Sequence, residues 1–208
     1  MFWNFLAQYK NLRKLSRVNG AAGFGLIELL ISITVVTLVM GVVLVRQNSF
    51  NSAVLLRGQA YEIAFQTREI QLNAVSASAD ASLGNFRSVQ GIYFDKSTGN
   101  ASLYKIFRDA DSDGFFDAGE EFGKQGFLDK RFQFVEFRDA AGADLGSDLA
   151  VVFVRPNFDA RFFDDSGNEV NTSGVEIDIS PKGAVGTGCG QIRTVEITKT
   201  GQISVKGC

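Results

Sequence analysis

Phe24 to Val45 reads FGLIELLISITVVTLVMGVVLV, 22 residues with a single ionisable side chain, Glu28, and the stretch closes on Arg46. As a helix it spans about 33 Å, enough to cross the hydrocarbon core of a bilayer. The residues ahead of it, Met1 to Gly23, carry Lys10, Arg13, Lys14 and Arg17 and no acid. That bias holds the basic head on the cytoplasmic side and sends the rest of the chain across the membrane. An ordinary secretory signal has an apolar region of about 7–15 residues followed by a small-residue cleavage site. Here the apolar run is longer, and the small residues Gly20, Ala21, Ala22 and Gly23 precede it. Cleavage at that point removes the head and keeps the helix. A plain signal anchor shares this plan except for Glu28, because a carboxylate inside a membrane segment is costly and marks function.

The remainder of the composition narrows the options. With 208 residues, 45% of them hydrophobic, the chain can bury one ordinary core and does not need a second domain. It has 21 Lys and Arg against 23 Asp and Glu; setting aside the four basic residues of the head leaves 17 against 23, a net charge of −6. An acidic body offers no general field for nucleic acid, which argues against nucleic acid as the main partner. There is no histidine. Ser-His-Asp and Cys-His catalysis, His-containing zinc sites and the usual base near neutral pH are therefore excluded. Two cysteines cannot build a Cys₄ metal site either. The expectation is a non-enzymatic protein.

Gly23-Phe24-Gly25-Leu26-Ile27-Glu28 resembles the processing site of type IV pilins and type II secretion pseudopilins, a Gly–Phe junction with Glu four residues after the Phe. Gly25 stands where the family pattern most often has Thr. The resemblance implies that a prepilin peptidase cuts after Gly23 and methylates the new N-terminal Phe24. It also implies that Glu28 meets the terminal ammonium of a neighbouring subunit. Pairing of that kind offsets the desolvation of the carboxylate and fixes axial register. The bland alternative is a single-pass anchor whose Glu28 snorkels to the interface.

No proline interrupts residues 24 to 76. After Arg46 the pattern becomes amphipathic: Leu56, Ala60, Ile63, Ile70 and Ala74 fall on one helical stripe, and Tyr61, Phe65, Leu72 and Val75 on another, with Glu62, Gln66 and Glu69 between them. One helix from Phe24 to about Ser76 would be about 80 Å long. The first stripe suits the protein's own body and the second could serve neighbours. A core helix with a wide apolar face explains the second half alone. Pilin subunits resemble this plan, with the C-terminal half of a long helix packed on a sheet. Arg68 and the small residues after it resemble the helix end of the GspH/FimT group of minor pilins.

Beyond Ser76 the sequence turns to strands and turns. Val89 to Phe94 and Ala101 to Phe107 flank a turn at Lys96–Asn100, a hairpin pattern. Arg131 to Arg138 puts Phe132 and Phe134 on one face. Leu149 to Arg155 and Ala160 to Phe163 follow, the latter leading into a turn at Asp165–Asn168. Val175, Ile177 and Ile179 alternate with Glu176 and Asp178, as in a half-buried antiparallel strand. Ile192 to Thr198 and Gln202 to Val205 surround Thr200-Gly201. A long helix followed by strands predicts an α+β fold, pilin-like, with the helix packed on an antiparallel β-sheet. The implied organisation is a cleaved basic leader at 1–23, a transmembrane half-helix at 24–46, an amphipathic half-helix at 47–76 and a β-rich globular domain at 77–208.

The sharpest chemical signal is Asp109-Ala-Asp-Ser-Asp-Gly-Phe-Phe-Asp-Ala-Gly-Glu120, which fits the twelve-residue EF-hand type of calcium loop at each diagnostic position. Asp109, Asp111 and Asp113 supply oxygens at alternate positions, and Gly114 permits the sharp turn. Phe115 offers its backbone carbonyl, Asp117 binds directly or through water, and Glu120 closes the shell with two oxygens. The flanks are not helical: Ser102 to Phe107 is strand-like and Glu121 to Gln125 is short. The expectation is a structural calcium loop grafted between sheet elements; the alternative is a solvated acidic turn. Magnesium fits less well, because it retains water and rarely takes an all-protein cage.

Cys189 and Cys208 bracket the last hairpin. In an exported protein they could be joined, resembling the disulfide that pins the C-terminal region of pilins, although counting back from Thr200-Gly201 does not set them opposite each other; two free thiols is the other state. The residues thus point to a structural filament subunit, a minor pilin or pseudopilin. It would sit in the bacterial inner membrane with a cytoplasmic leader and an exported body, and then in an extracellular or periplasmic filament. Two other classes stay open. One is a DNA- or surface-binding tip component using Arg155, Arg161, Lys182 and Arg193. The other is a membrane-anchored calcium-binding domain that never polymerises.

Overall fold

The computed structural model describes residues 25–76, 89–111, 113–123, 125–154, 157–184 and 191–207. Gly23, Phe24, Arg155, Cys189 and Cys208 lie outside them. The chain divides into two compact units, Met1–Arg46 and Gln47–Cys208. Helix α1 covers Leu26–Val75. It is followed by nine strands: β1 Val89–Asp95, β2 Leu103–Asp109, β3 Gly126–Phe127, β4 Phe132–Asp139, β5 Asp148–Phe153, β6 Ala160–Phe163, β7 Gly174–Pro181, β8 Arg193–Thr198 and β9 Ile203–Lys206. The fold is α+β, as the helix-then-strands order predicts.

In the first unit every described residue of α1 through Leu44 is exposed. Leu26–Leu44 is long and apolar enough to cross a membrane, and none of it is buried in the protein. Its hydroxyls are spent on its own backbone: Ser32 donates to the Glu28 carbonyl, Thr34 to those of Leu30 and Ile31, and Thr37 to those of Ile33 and Thr34, at 2.8–3.0 Å. That leaves the side chains of Ser32, Thr34 and Thr37 no polar demand on their surroundings, the condition a lipid-facing helix must meet.

In the second unit the stripe Leu56, Ala60, Ile63, Ile70 and Ala74 is buried, none of the five more than 2% exposed. Burial of this face, and not helix propensity, is what stabilises such a helix. Thr67 and Gln71 share the buried stripe, polar residues the apolar periodicity does not show. Thr67 donates to the Ile63 carbonyl. The Gln71 amide donates to the carbonyls of Phe158 and Gly201 at 3.0 and 2.9 Å, and Gln59 Oε1 accepts the Asp129 N–H at 2.7 Å. Both glutamines tie the helix to loops of the body, and Gln71 satisfies its buried amide in doing so. Tyr61, Phe65 and Leu72 face outward.

The strands form two sheets where the sequence suggested one. The five-stranded sheet runs β3-β2-β1-β5-β6 and the four-stranded sheet β4-β7-β8-β9, and every pairing is antiparallel. The sequence cannot show this division, because β5 pairs with β1 and β7 with β4 across long separations. The main core gathers the buried helix stripe, Ile92 and Phe94 of β1, Leu149, Val151 and Phe153 of β5, and the inner residues of β4, β7 and β8. A bulge between Phe134 and Glu136 shifts the register of β4 against β7. One extra residue there turns Phe137 to the same core as Phe132 and Phe134, although strict alternation would face it outward. On β7, Asp178 is buried and not half-exposed. It accepts from Arg138 Nη2 at 2.7 Å and the Thr194 hydroxyl at 2.6 Å, which offsets the cost of burying its charge.

The opposite face of the five-stranded sheet carries a second, smaller cluster: Tyr93, Phe107, Ala150, Val152 and Phe163, with Phe115, Phe116 and Val154 packed on it. Gly91 makes this possible, since a Cβ there would stand 2.6 Å from the Phe107 ring.

Candidate metal centre

Strand β2 ends at Asp109, so the first acidic position of the loop is held by the sheet and is buried. The loop closes where Arg108 N–H donates to the Glu120 carbonyl at 2.9 Å and Phe122 N–H to the Ile106 carbonyl at 2.8 Å, with a bridge between Phe107 and Glu121. A strand leads in and an extended segment leads out, as the non-helical flanks imply.

Within this neck the carboxylates organise the backbone. Asp109 accepts the Gly114 N–H at 2.9 Å, Asp111 the Asp113 N–H at 3.2 Å and Asp113 the Phe115 N–H at 2.8 Å. Glu120 spans the loop, accepting from Ala110 N–H at 2.6 Å and Asp117 N–H at 3.0 Å. Gly114 takes a positive φ of 88°, and the ring of Phe163 occupies the place of a Cβ, 2.0 Å away. Gly114→Ala is therefore expected to destabilise the protein by about 2–4 kcal/mol, from the left-handed backbone and displacement of a packed ring together. Denaturant unfolding of the full chain in detergent measures this, and an unchanged midpoint would contradict it.

The ligand atoms of Asp109, Asp111 and Glu120 lie within 4.8 Å of one another, and so do those of Asp111, Asp113 and Asp117. Calcium bonds oxygen at 2.3–2.6 Å, so oxygens around one ion are at most about 5 Å apart. Both triads meet that limit and share Asp111. The five carboxylates the sequence singles out thus fall into two groups that share Asp111, and the donor set is hard oxygen throughout, which fits calcium.

Other anticipated residues are placed differently. Glu28 lies in the first turn of α1. Arg161 on β6 is held by Glu169 through two hydrogen bonds, Nε to Oε1 at 2.9 Å and Nη2 to Oε2 at 2.7 Å. Lys182 follows β7 and Arg193 opens β8, so they belong to the other sheet. Arg161 thus lies on the five-stranded sheet, and Lys182 and Arg193 adjoin the four-stranded one. A feature the sequence did not reveal is the carboxylate group Asp95 and Asp148, which face each other across β1 and β5. Burial, together with neighbouring Asp95 and Asp165, pushes the Asp148 carboxyl up, against a hydrogen bond from Tyr93. Only pairing register could have exposed it.

The fold and the loop together define an α+β protein with a membrane-length apolar segment at one end and a compact acidic loop in its sheet body. No family model and no curated protein matches the chain. Among solved structures, it is similar to the crystal structure of the minor pseudopilin EpsH from the type II secretion system of Vibrio cholerae, at 13% identity and a TM-score of 0.40, over 74% of this chain and 94% of that one. A second structure of Vibrio cholerae EpsH gives 14% identity and a TM-score of 0.40, over 74% and 96%.

Proposed function

We propose that the chain is a structural, non-enzymatic subunit, a minor pilin or pseudopilin, of a type IV pilus or a type II secretion-like filament. A prepilin peptidase would remove residues 1–23 and methylate Phe24. The mature chain would wait in the inner membrane, its body exported, and then assemble with other subunits through α1. The observation that carries this reading is the exposure of Leu26–Leu44: a predominantly apolar segment, none of it buried, whose single charge, Glu28, closes the Gly23–Glu28 motif. Lipid alone accounts for the apolar residues. It does not account for the acid, which a neighbouring ammonium would satisfy.

In the same reading calcium occupies the Asp109–Glu120 loop, held by Asp109, Asp111, Asp113, the Phe115 carbonyl, Asp117 and Glu120, and stiffens the connection between β2 and β3. The ion would neutralise carboxylates that otherwise repel one another at close range. The filament reading is tested by fractionating cells that make a tagged chain. With an active prepilin peptidase the chain is expected to sediment with sheared filaments; without the enzyme it should stay in the membrane. Membrane retention in both strains would instead favour the anchored calcium domain that does not polymerise.

A further inference from the structure

The loop does more than collect oxygens, because its two central phenylalanines lie on the outer face of the five-stranded sheet. Phe115 meets Tyr93 edge-on with centroids 5.8 Å apart, and Phe116 lies tilted 4.9 Å from Tyr93 and edge-on 5.7 Å from Phe107. Lys105 Nζ sits 4.5 Å from the Phe116 ring centre, and the loop backbone at Gly114 lies against the Phe163 ring. The residues beneath, Tyr93, Phe107 and Phe163, are buried, and they belong to a cluster separate from the main core.

Two opposed forces meet in this loop. Ring packing on the sheet holds it shut. The close carboxylates of Asp109, Asp111, Asp113, Asp117 and Glu120 push it open, a repulsion that the amides they accept and the charge of Arg161 near Asp109 relieve in part. A divalent cation removes the second force and leaves the first. Since the main core lies on the other side of the sheet, the loop can lift without unpacking α1 or the four-stranded sheet.

We propose that the Asp109–Glu120 loop is a calcium-dependent cover for the outer face of the five-stranded sheet, closing over Tyr93, Phe107 and Phe163 when the ion is bound and lifting as a unit when it is removed. This rests on the calcium reading of the loop. Linkage makes the coupling reciprocal: whatever weakens the ring packing must also weaken ion binding.

Hydroxyl-radical footprinting of the full chain in detergent, read residue by residue by mass spectrometry, tests it with calcium or with chelator. Chelation is expected to raise oxidation of Tyr93, Phe107 and Phe163 about fivefold or more while Phe94, Phe134 and Phe137 stay protected. Protection of Tyr93 and Phe163 under chelator, in a chain whose calcium binding registers by calorimetry, would overturn the cover and spare the calcium site. Oxidation rising equally on both faces would overturn it as well, since that reports global melting. As a second measurement, Phe116→Ala keeps all six ligand residues and is expected to weaken calcium binding about tenfold by depopulating the closed loop. Unchanged affinity would show that the rings and the ion are independent. A chain with no calcium heat at all would defeat both the site and the cover.

Discussion

Replacing Glu28 by leucine is expected to leave the protein in the membrane and remove it from the filament. The substitution removes the one charge from Leu26–Leu44, so insertion is unaffected or improved. In the filament proposed above, what disappears is the partner of the neighbouring ammonium. Breaking a desolvated ion pair by deleting one member costs about 3–5 kcal/mol, which corresponds to a loss of incorporation of about 100-fold or more. The ratio of tagged chain in sheared filaments to that in membranes measures it. Incorporation at the unsubstituted level would mean that Glu28 snorkels to the interface and serves no assembly role.

A second large effect is expected at the loop. In calcium at about 100 times the dissociation constant the protein should gain about 2.7 kcal/mol, or about 5–10 °C in melting temperature for a chain of this size. The double substitution Asp111→Ala, Asp113→Ala should abolish both that gain and the calorimetric heat of binding, because Asp111 belongs to both carboxylate triads. In chelator the deficit should vanish: the double variant should melt no lower than the parent, since two mutually repelling charges have gone. Equal heats from the two proteins would refute the calcium assignment, leaving a solvated acidic turn.

The parts of the structure that local periodicity encodes were legible. Leu56, Ala60, Ile63, Ile70 and Ala74 repeat at helical spacing and all are buried. Val175, Ile177 and Ile179 alternate and all face the core. The clustering of the acidic loop was legible for a related reason: its carboxylates lie within twelve consecutive residues, so the chain itself brings them close. What depended on long-range pairing was not readable. The split into two sheets, the facing carboxylates of Asp95 and Asp148, and the burial of Asp178 under Arg138 and Thr194 follow from register between distant strands. The two-residue strand β3 is too short to leave a pattern. The bulge in β4 broke the period that would have placed Phe137. The packing of Phe115 and Phe116 on the sheet was hidden for the same cause, because nothing near them in sequence names the strands they cover.

A single mass determines whether the apolar helix belongs to a processed filament subunit. Intact-mass and N-terminal peptide analysis of the chain, purified from cells with an active prepilin peptidase, should find residues 1–23 absent and the chain beginning at an N-methylated Phe24. A chain that retains Met1 to Gly23 in those cells would contradict that assignment, whatever the behaviour of its calcium loop.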